Sequence, residues 1–175
     1  MPMRTQTAPE LQILRWFNTP APLSLAALRG RVVLVEAFQM LCPGCVSHGL
    51  PQAQRVRQLF AREDVEVIGL HAVFEHHAAM TPVALEAFLH EYRIGFPVGV
   101  DAASEAGPIP RTMAAYGMRG SPTLLLIDRA GRLRQHHFGQ VEDLVLGAQI
   151  AMLAAEPAPT EAMTGAACHV DGGCD

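Results

Sequence analysis

Cys42 and Cys45, separated by Pro43 and Gly44, stand where an apolar, β-branched run from Val32 to Phe38 passes into a helical pattern starting near Pro43. A sulfur at the first turn of a helix faces backbone N–H groups that have no earlier carbonyl to bond, and this positive end of the helix favours the thiolate. The thiolate is the attacking species in disulfide chemistry. This placement therefore makes Cys42 the candidate nucleophile and Cys45, one turn further in, the candidate resolving thiol. Pro43 fits a first helical position, where its missing N–H is no loss, and Gly44 permits another backbone to come close. Two plainer readings of these residues are a pair of buried small side chains and half of a zinc site completed elsewhere. Structural zinc takes four ligands at paired spacings, and the strand-then-helix context favours redox chemistry over both. No metal and no cofactor is assigned.

Glu36 is the single charged residue of the Val32–Phe38 run. Desolvation in an apolar strand raises a carboxyl pKa and suits the group to proton exchange near neutral pH, whereas the plainer reading is a carboxylate paired with Arg or His. A second pair of sulfurs lies in Cys168-His169-Val170-Asp171-Gly172-Gly173-Cys174. Five intervening residues allow a local disulfide, so Cys168 and Cys174 are a possible second dithiol relaying electrons to or from Cys42 and Cys45. Capture of a soft metal by Cys168, His169 and Cys174, or a solvated tail, are the alternatives. Adjacent His136 and His137 on a strand point to opposite faces, and His76 and His77 share a polar loop with Glu75. No HxxxH or HExxH spacing occurs. His71, near a strand end, is a candidate neighbour of Glu36, against the plainer reading of a hydrogen-bonded core histidine.

Positioning these side chains requires a buried sheet, because a strand apolar on both faces must be covered on both. The helix after it is expected over residues 43–61, bent by Pro51. A strand over 65–73 follows. Thr81 and Pro82 then supply an N-cap and a first-turn proline for a helix through Arg93, with Leu85, Phe88, Leu89 and Tyr92 on one face. Residues 96–101 read as a strand, 111–116 as a short helix and 122–128 as a buried strand. Asp128-Arg129-Ala130-Gly131 reads as a hairpin turn, 132–138 as an edge strand and 141–155 as an amphipathic helix. The order implies an α/β fold with a mixed sheet between helix layers. Apolar periodicity stops at Glu156-Pro157-Ala158-Pro159. The expected division is an N-terminal extension 1–22, a domain 23–155, and a Pro/Ala linker with a Cys-containing tail, 156–175.

The chain has 175 residues, half of them apolar, 17% charged, and a net charge of −4. That composition excludes disorder throughout and fits one domain plus a tail. All thirteen basic residues are Arg, scattered among seventeen Asp and Glu, so nucleic acid and an anionic membrane surface are not expected partners. The first twenty residues hold no unbroken apolar stretch of the export-signal kind. The longest uncharged apolar segment near the end, 144–155, is short of the ~18–20 residues a membrane crossing needs. A soluble, cytoplasmic protein is the expectation, and a reducing compartment directs the four Cys to redox or metal chemistry.

On these residues the chain resembles the thioredoxin superfamily, and within it the TlpA-like redoxins related to peroxiredoxins. Leu25 to Phe38 looks like the family's entry into its first core strand, Cys42 to Cys45 like its active dithiol, and Ser121-Pro122-Thr123 like its cis-proline, within a matching span 23–155. The resemblance implies a three-layer thioredoxin-like fold with the TlpA-like strand–helix insertion. It also implies that Pro122 stands in the cis form opposite the dithiol, with the backbone of Ser121 pairing with an extended substrate segment. Glu36, six residues before Cys42, holds the offset of the family's buried proton-carrying carboxylate. The partners implied are protein disulfides or dithiols and an unidentified electron donor, and the oligomeric state is left open. The sequence departs from the pattern at Leu41, where a Trp is usual, and in the Pro-Gly order between the cysteines. Three functions stay open: a thiol-disulfide oxidoreductase; a peroxiredoxin-like peroxidase with antioxidant activity, using Cys42 as the peroxidatic thiol; and a non-enzymatic Cys/His metal-binding protein. Gln39 stands where peroxiredoxins usually carry Thr or Ser three residues before the attacking Cys, which disfavours the second.

Overall fold

Seven consecutive residues buried on both faces belong in the middle of a sheet, and Val32–Phe38 occupies that place as strand β2. In the computed structural model, which describes residues 6–159, β2 is one of six strands with β1 (Ile13–Phe17), β3 (Val65–His71), β4 (Val98–Asp101), β5 (Thr123–Ile127) and β6 (Leu133–Phe138). Their order across the sheet is β1-β4-β3-β2-β5-β6. β2, β3 and β4 run parallel, while β1, β5 and β6 are each antiparallel to the neighbour they join. The helices are α1 (Leu50–Leu59), α2 (Pro82–Glu91), α3 (Arg111–Ala115) and α4 (Asp143–Ala155).

Because side chains alternate along a strand, each strand feeds two cores. Leu34 and Phe38 of β2, with Val67, Val98 and Leu126, pack under Leu50, Ala53 and Val56 of α1, Leu85 and Leu89 of α2, and Leu146 and Ile150 of α4. Val33 and Val35, with Ile68, Leu70 and Leu125, pack on the other face under Met113 of α3, Tyr116 and Met118. Full burial of each such side chain contributes about 1.5 to 3 kcal/mol. The result is the expected α/β three-layer sandwich, in which α2 and β4 stand between β3 and α3 as the added helix and strand.

Besides ends that fall two residues short at α1 (Leu59), α2 (Glu91) and β4 (Val98), the structure differs from the sequence reading in three places. The segment before Leu23 is not merely an extension, because Ile13–Phe17 pairs with β4 and closes that edge of the sheet. Leu14 of this strand is exposed and Trp16 only partly buried, so no alternating pattern announces it. The helix after the dithiol is irregular. Residues 43 and 44 are helical, Cys45–Gly49 form a π-helical turn in which Leu50 N–H donates to the Cys45 carbonyl, and α1 follows with Pro51 in its first turn. The wider turn lies just ahead of Pro51, where an α turn would set the proline ring against the carbonyl four residues back. Finally, β3 ends at His71 rather than residue 73, although Ala72 N–H still reaches the Phe38 carbonyl (3.1 Å).

The Thr81 cap is present, its hydroxyl accepting from Ala84 N–H (3.3 Å). Among the described residues no helix is long and apolar enough to cross a membrane.

Candidate active site

β2 delivers the chain to a turn in which Cys42 N–H donates to the Gln39 carbonyl (3.2 Å), and the helical run begins directly after it. Cys42 and Cys45 are joined by a disulfide, with their Cα atoms 5.2 Å apart. The backbone N–H of Cys45 donates to Cys42 Sγ (3.2 Å), so a helix-start amide does point at the leading sulfur. The two sulfurs differ in access: Cys45 has no exposed surface, whereas Cys42 is partly exposed.

The loop before β5 meets this pair. The Ser121–Pro122 peptide is cis, and Cys42 Sγ lies 3.5 Å from the Ser121 carbonyl oxygen. The β2–β5 register sets this approach by pairing Ala37 with Thr123, which aligns the start of β5 with the end of β2. The buried Thr123 hydroxyl donates to the Gly120 carbonyl (2.7 Å) and pins the loop. A Cβ on Gly44 would sit 3.4 Å from Pro122 Cδ, so the helix and the proline are in contact at that point.

Glu36 lies beneath the helix. It is 2% exposed, and burial pushes its carboxyl up to about 8. Among the described residues its Oε1 has no hydrogen-bond partner, and none supplies the Arg or His of the plainer reading. Gly49, four residues after Cys45, lies against it: a Cβ there would fall onto Glu36 Oε1 and 3.4 Å from Pro122 Cβ. Strand carboxyl, helix and proline loop therefore converge on one spot, and a glycine is what makes room for them.

His71 shares the sheet face of Glu36 without bonding to it. It pairs in register with Phe38 while Glu36 pairs with Gly69, and its ring lies 5.3 Å from the Phe38 ring. Among the described residues neither ring nitrogen has a hydrogen-bond partner, which departs from the plainer reading of a hydrogen-bonded core histidine. Burial lowers its pKa to about 4. His136 and His137 do face apart. His137 Nε2 lies 3.0 Å from Gln149 Oε1 of α4, and His136 is depressed by burial and then by the charges of Arg119 and His137. Among the described residues no three His, Cys, Asp or Glu are grouped to hold a metal. Cys168, His169 and Cys174 lie outside the described residues.

Three contributors escaped the sequence reading. Gly49 and Thr123 are the first two, and only the Thr of Ser121-Pro122-Thr123 had a local signal. The third is Gln39, buried, whose Oε1 accepts from Phe74 N–H (3.2 Å) and whose Nε2 reaches Glu75 (3.4 Å). Its side chain braces the turn before Cys42 against the segment after β3.

A sheet of this order that folds a cis-proline onto a disulfide at a helix start is that of the thioredoxin-like proteins. The chain belongs to the Redoxin family, whose model matches residues 4–148. A solved thioredoxin-like superfamily protein superposes with a TM-score of 0.87 at 65% identity, covering 88% of this chain and 99% of its own. A thiol-disulfide isomerase from Corynebacterium glutamicum superposes with a TM-score of 0.82 at 51% identity, covering 86% of this chain and 98% of its own. Protein DipZ of Mycobacterium tuberculosis is 30% identical over 137 residues, which span 77% of this chain and 19% of DipZ. Thiol-disulfide oxidoreductase ResA of Bacillus anthracis is 25% identical over 118 residues, spanning 67% of this chain and 61% of ResA.

Proposed function

We propose that the protein is a thiol-disulfide oxidoreductase that exchanges its Cys42–Cys45 pair with disulfides or dithiols of other proteins. The carrying observation is the asymmetry of the pair: a partly exposed sulfur beside the Ser121 carbonyl, joined to a wholly buried one. The similarity to a thiol-disulfide isomerase at 51% identity supports the same reading.

In the reducing direction Cys42 thiolate attacks one sulfur of a partner disulfide and the other partner sulfur leaves. The Cys45 N–H that points at Cys42 Sγ stabilises that thiolate. An incoming extended segment finds the Ser121–Pro122 backbone beside it for main-chain pairing. Cys45 then attacks Cys42 in the mixed disulfide, and the partner departs as a thiol. Cys45 must lose a proton for that attack and regain one when the pair is reduced again. Glu36, with its carboxyl near 8, is mostly protonated at pH 7 yet within easy range of ionising, and is the group that carries this proton.

Insulin reduction with dithiothreitol, run beside peroxide consumption, tests the reading. Wild type is expected to reduce insulin, and Cys42→Ser to abolish the activity. Full turnover by Cys42→Ser refutes the mechanism, and peroxide consumption without insulin reduction replaces the activity with that of a peroxidase.

A further inference from the structure

Two features are unused by this reaction. One is chemical: residues 160–175, beyond both the described chain and the family match at 4–148, carry Cys168 and Cys174 together with Glu161, Asp171 and Asp175, and no Arg. The other is a surface. Phe138, 51% exposed, pairs in register with Thr123, and the Arg119 guanidinium lies 5.0 Å over its ring. Gly139 N–H donates to the Pro122 carbonyl (2.9 Å), which ties this end of β6 to the cis-proline. Arg119 is exposed and two residues before Ser121, and Leu41, next to Cys42, is 59% exposed. Leu41 thus adjoins Cys42 in the chain while Phe138 and Arg119 stand beside the cis-proline loop that meets the dithiol, and two exposed apolar side chains with a cation suit a cysteine segment with acidic neighbours.

The place where the chain leaves α4 allows this segment to be its own. Arg129 donates to the carbonyls of Gly30 (2.8 Å) and Glu156 (2.9 Å), and Arg134 meets the Glu156 carboxylate (2.8 Å). The exit is therefore at the Val32 end of β2, opposite Cys42. The seven residues of β2 span roughly 20 Å, and the turn to Cys42 adds about 10 Å. The chain from Glu156 can extend to about 40 Å by Cys168 and about 60 Å by Cys174. Both sulfurs can reach.

We propose that the segment 157–175 carries a second dithiol, Cys168 and Cys174, which docks on the Leu41–Phe138–Arg119 surface and exchanges disulfides with Cys42–Cys45 of the same chain. The proposal rests on the thiol-disulfide reading above and adds an internal partner to it. With the tail reduced, Cys174 thiolate attacks Cys42 Sγ. The Cys42–Cys45 bond breaks, and its electron pair leaves on Cys45, which takes a proton. Cys168 thiolate then attacks Cys174, forming the tail disulfide and expelling Cys42 thiolate. Two electrons pass from tail to dithiol. The two protons lost by the tail thiols balance those taken up at Cys45 and Cys42, and the reverse steps oxidise the dithiol. Arg119 holds the acidic residues beside Cys174.

The full-length variant Cys45→Ser/Cys168→Ser retains only Cys42 and Cys174, so any internal disulfide must join those two. Equilibrated against glutathione disulfide, it is expected to form that bond within a monomer, with an effective thiol concentration of the order of mM. Adding Arg119→Glu is expected to lower that concentration about fivefold at low salt, and Arg119→Lys to leave it in place. Cys45→Ala in the same background serves should Ser disturb the buried site. Glutathione adducts alone, or linkage only between two chains, overturn the proposal. Insulin reduction by wild type is read separately. Retained activity without the internal bond removes only the tail exchange, and lost activity removes the reading beneath it.

Discussion

Glu36→Gln replaces the buried carboxyl by a neutral group of nearly the same shape, and its effect on stability follows from the pKa. Burial raises the carboxyl from an ordinary 4.5 to about 8. The folded state then binds more protons than the unfolded one between those values, so this group's contribution is full below pH 4.5, declines as pH rises, and levels off above 8. At about 1.4 kcal/mol per pH unit the whole span amounts to about 5 kcal/mol, of which about 4 falls between pH 5 and pH 9. The amide carries no such dependence, and any fixed penalty for its unpaired N–H groups is the same at every pH. Urea unfolding of the oxidised wild type and of Glu36→Gln at pH 5 and pH 9 should show the variant gaining about 4 kcal/mol on wild type. A difference that stays constant to within about 1 kcal/mol means that Glu36 is solvated or paired in solution, and its role as proton carrier falls with that.

Gly49→Ala should destabilise by about 1–3 kcal/mol because its methyl group meets Glu36 Oε1, and Gly49→Ala/Glu36→Ala should recover part of that loss in thermal unfolding. Equal losses in the two backgrounds would place the clash elsewhere. His71 acts with the opposite sign. Its pKa is lowered by burial from 6.5 to about 4, so its contribution is present above 6.5 and lost as pH falls towards 4. His71→Leu should therefore gain about 2 kcal/mol on wild type between pH 7 and pH 5 in the same urea assay, and parallel pH curves for the two proteins contradict the burial argument. Cys45→Ser/Cys168→Ser/Cys174→Ser, which keeps only Cys42, should accumulate mixed disulfides between Cys42 and a partner protein, visible on non-reducing gels, because every resolving sulfur of the chain is missing. No accumulation would show that another thiol completes the cycle.

Much of the site was legible in local sequence because its signals are short-range. Cys42-Pro43-Gly44-Cys45 after a β-branched run states both the chemistry and its place at a helix start, and a lone Glu36 in that run states its own desolvation. Strands β2, β5 and β6 and helix α2 announced themselves by local pattern and caps, whereas α4, expected to be amphipathic, is apolar on its exposed side too, with Leu144, Val145 and Met152 in solvent. β1 did not, since five residues at a sheet edge with an exposed Leu14 lack a regular alternation, and their place depends on β4, some eighty residues away. Gly49 reads as an ordinary helical glycine until the carboxyl beneath it is seen. His71 looks like a neighbour for Glu36 until the register sets it beside Phe38.

The amino-acid order alone determined that two sulfurs one turn apart would open a helix behind a buried strand, because neighbouring residues settle backbone conformation and burial pattern within about ten positions. Only the tertiary fold decided that Ser121 and Pro122 would lie against Cys42, and that Gly49 would close over a buried Glu36. The fold also left His71 buried without a hydrogen-bond partner among the described residues. Those contacts join segments up to about eighty residues apart, and their geometry is set by strand register and side-chain packing across the sheet, which no local pattern encodes.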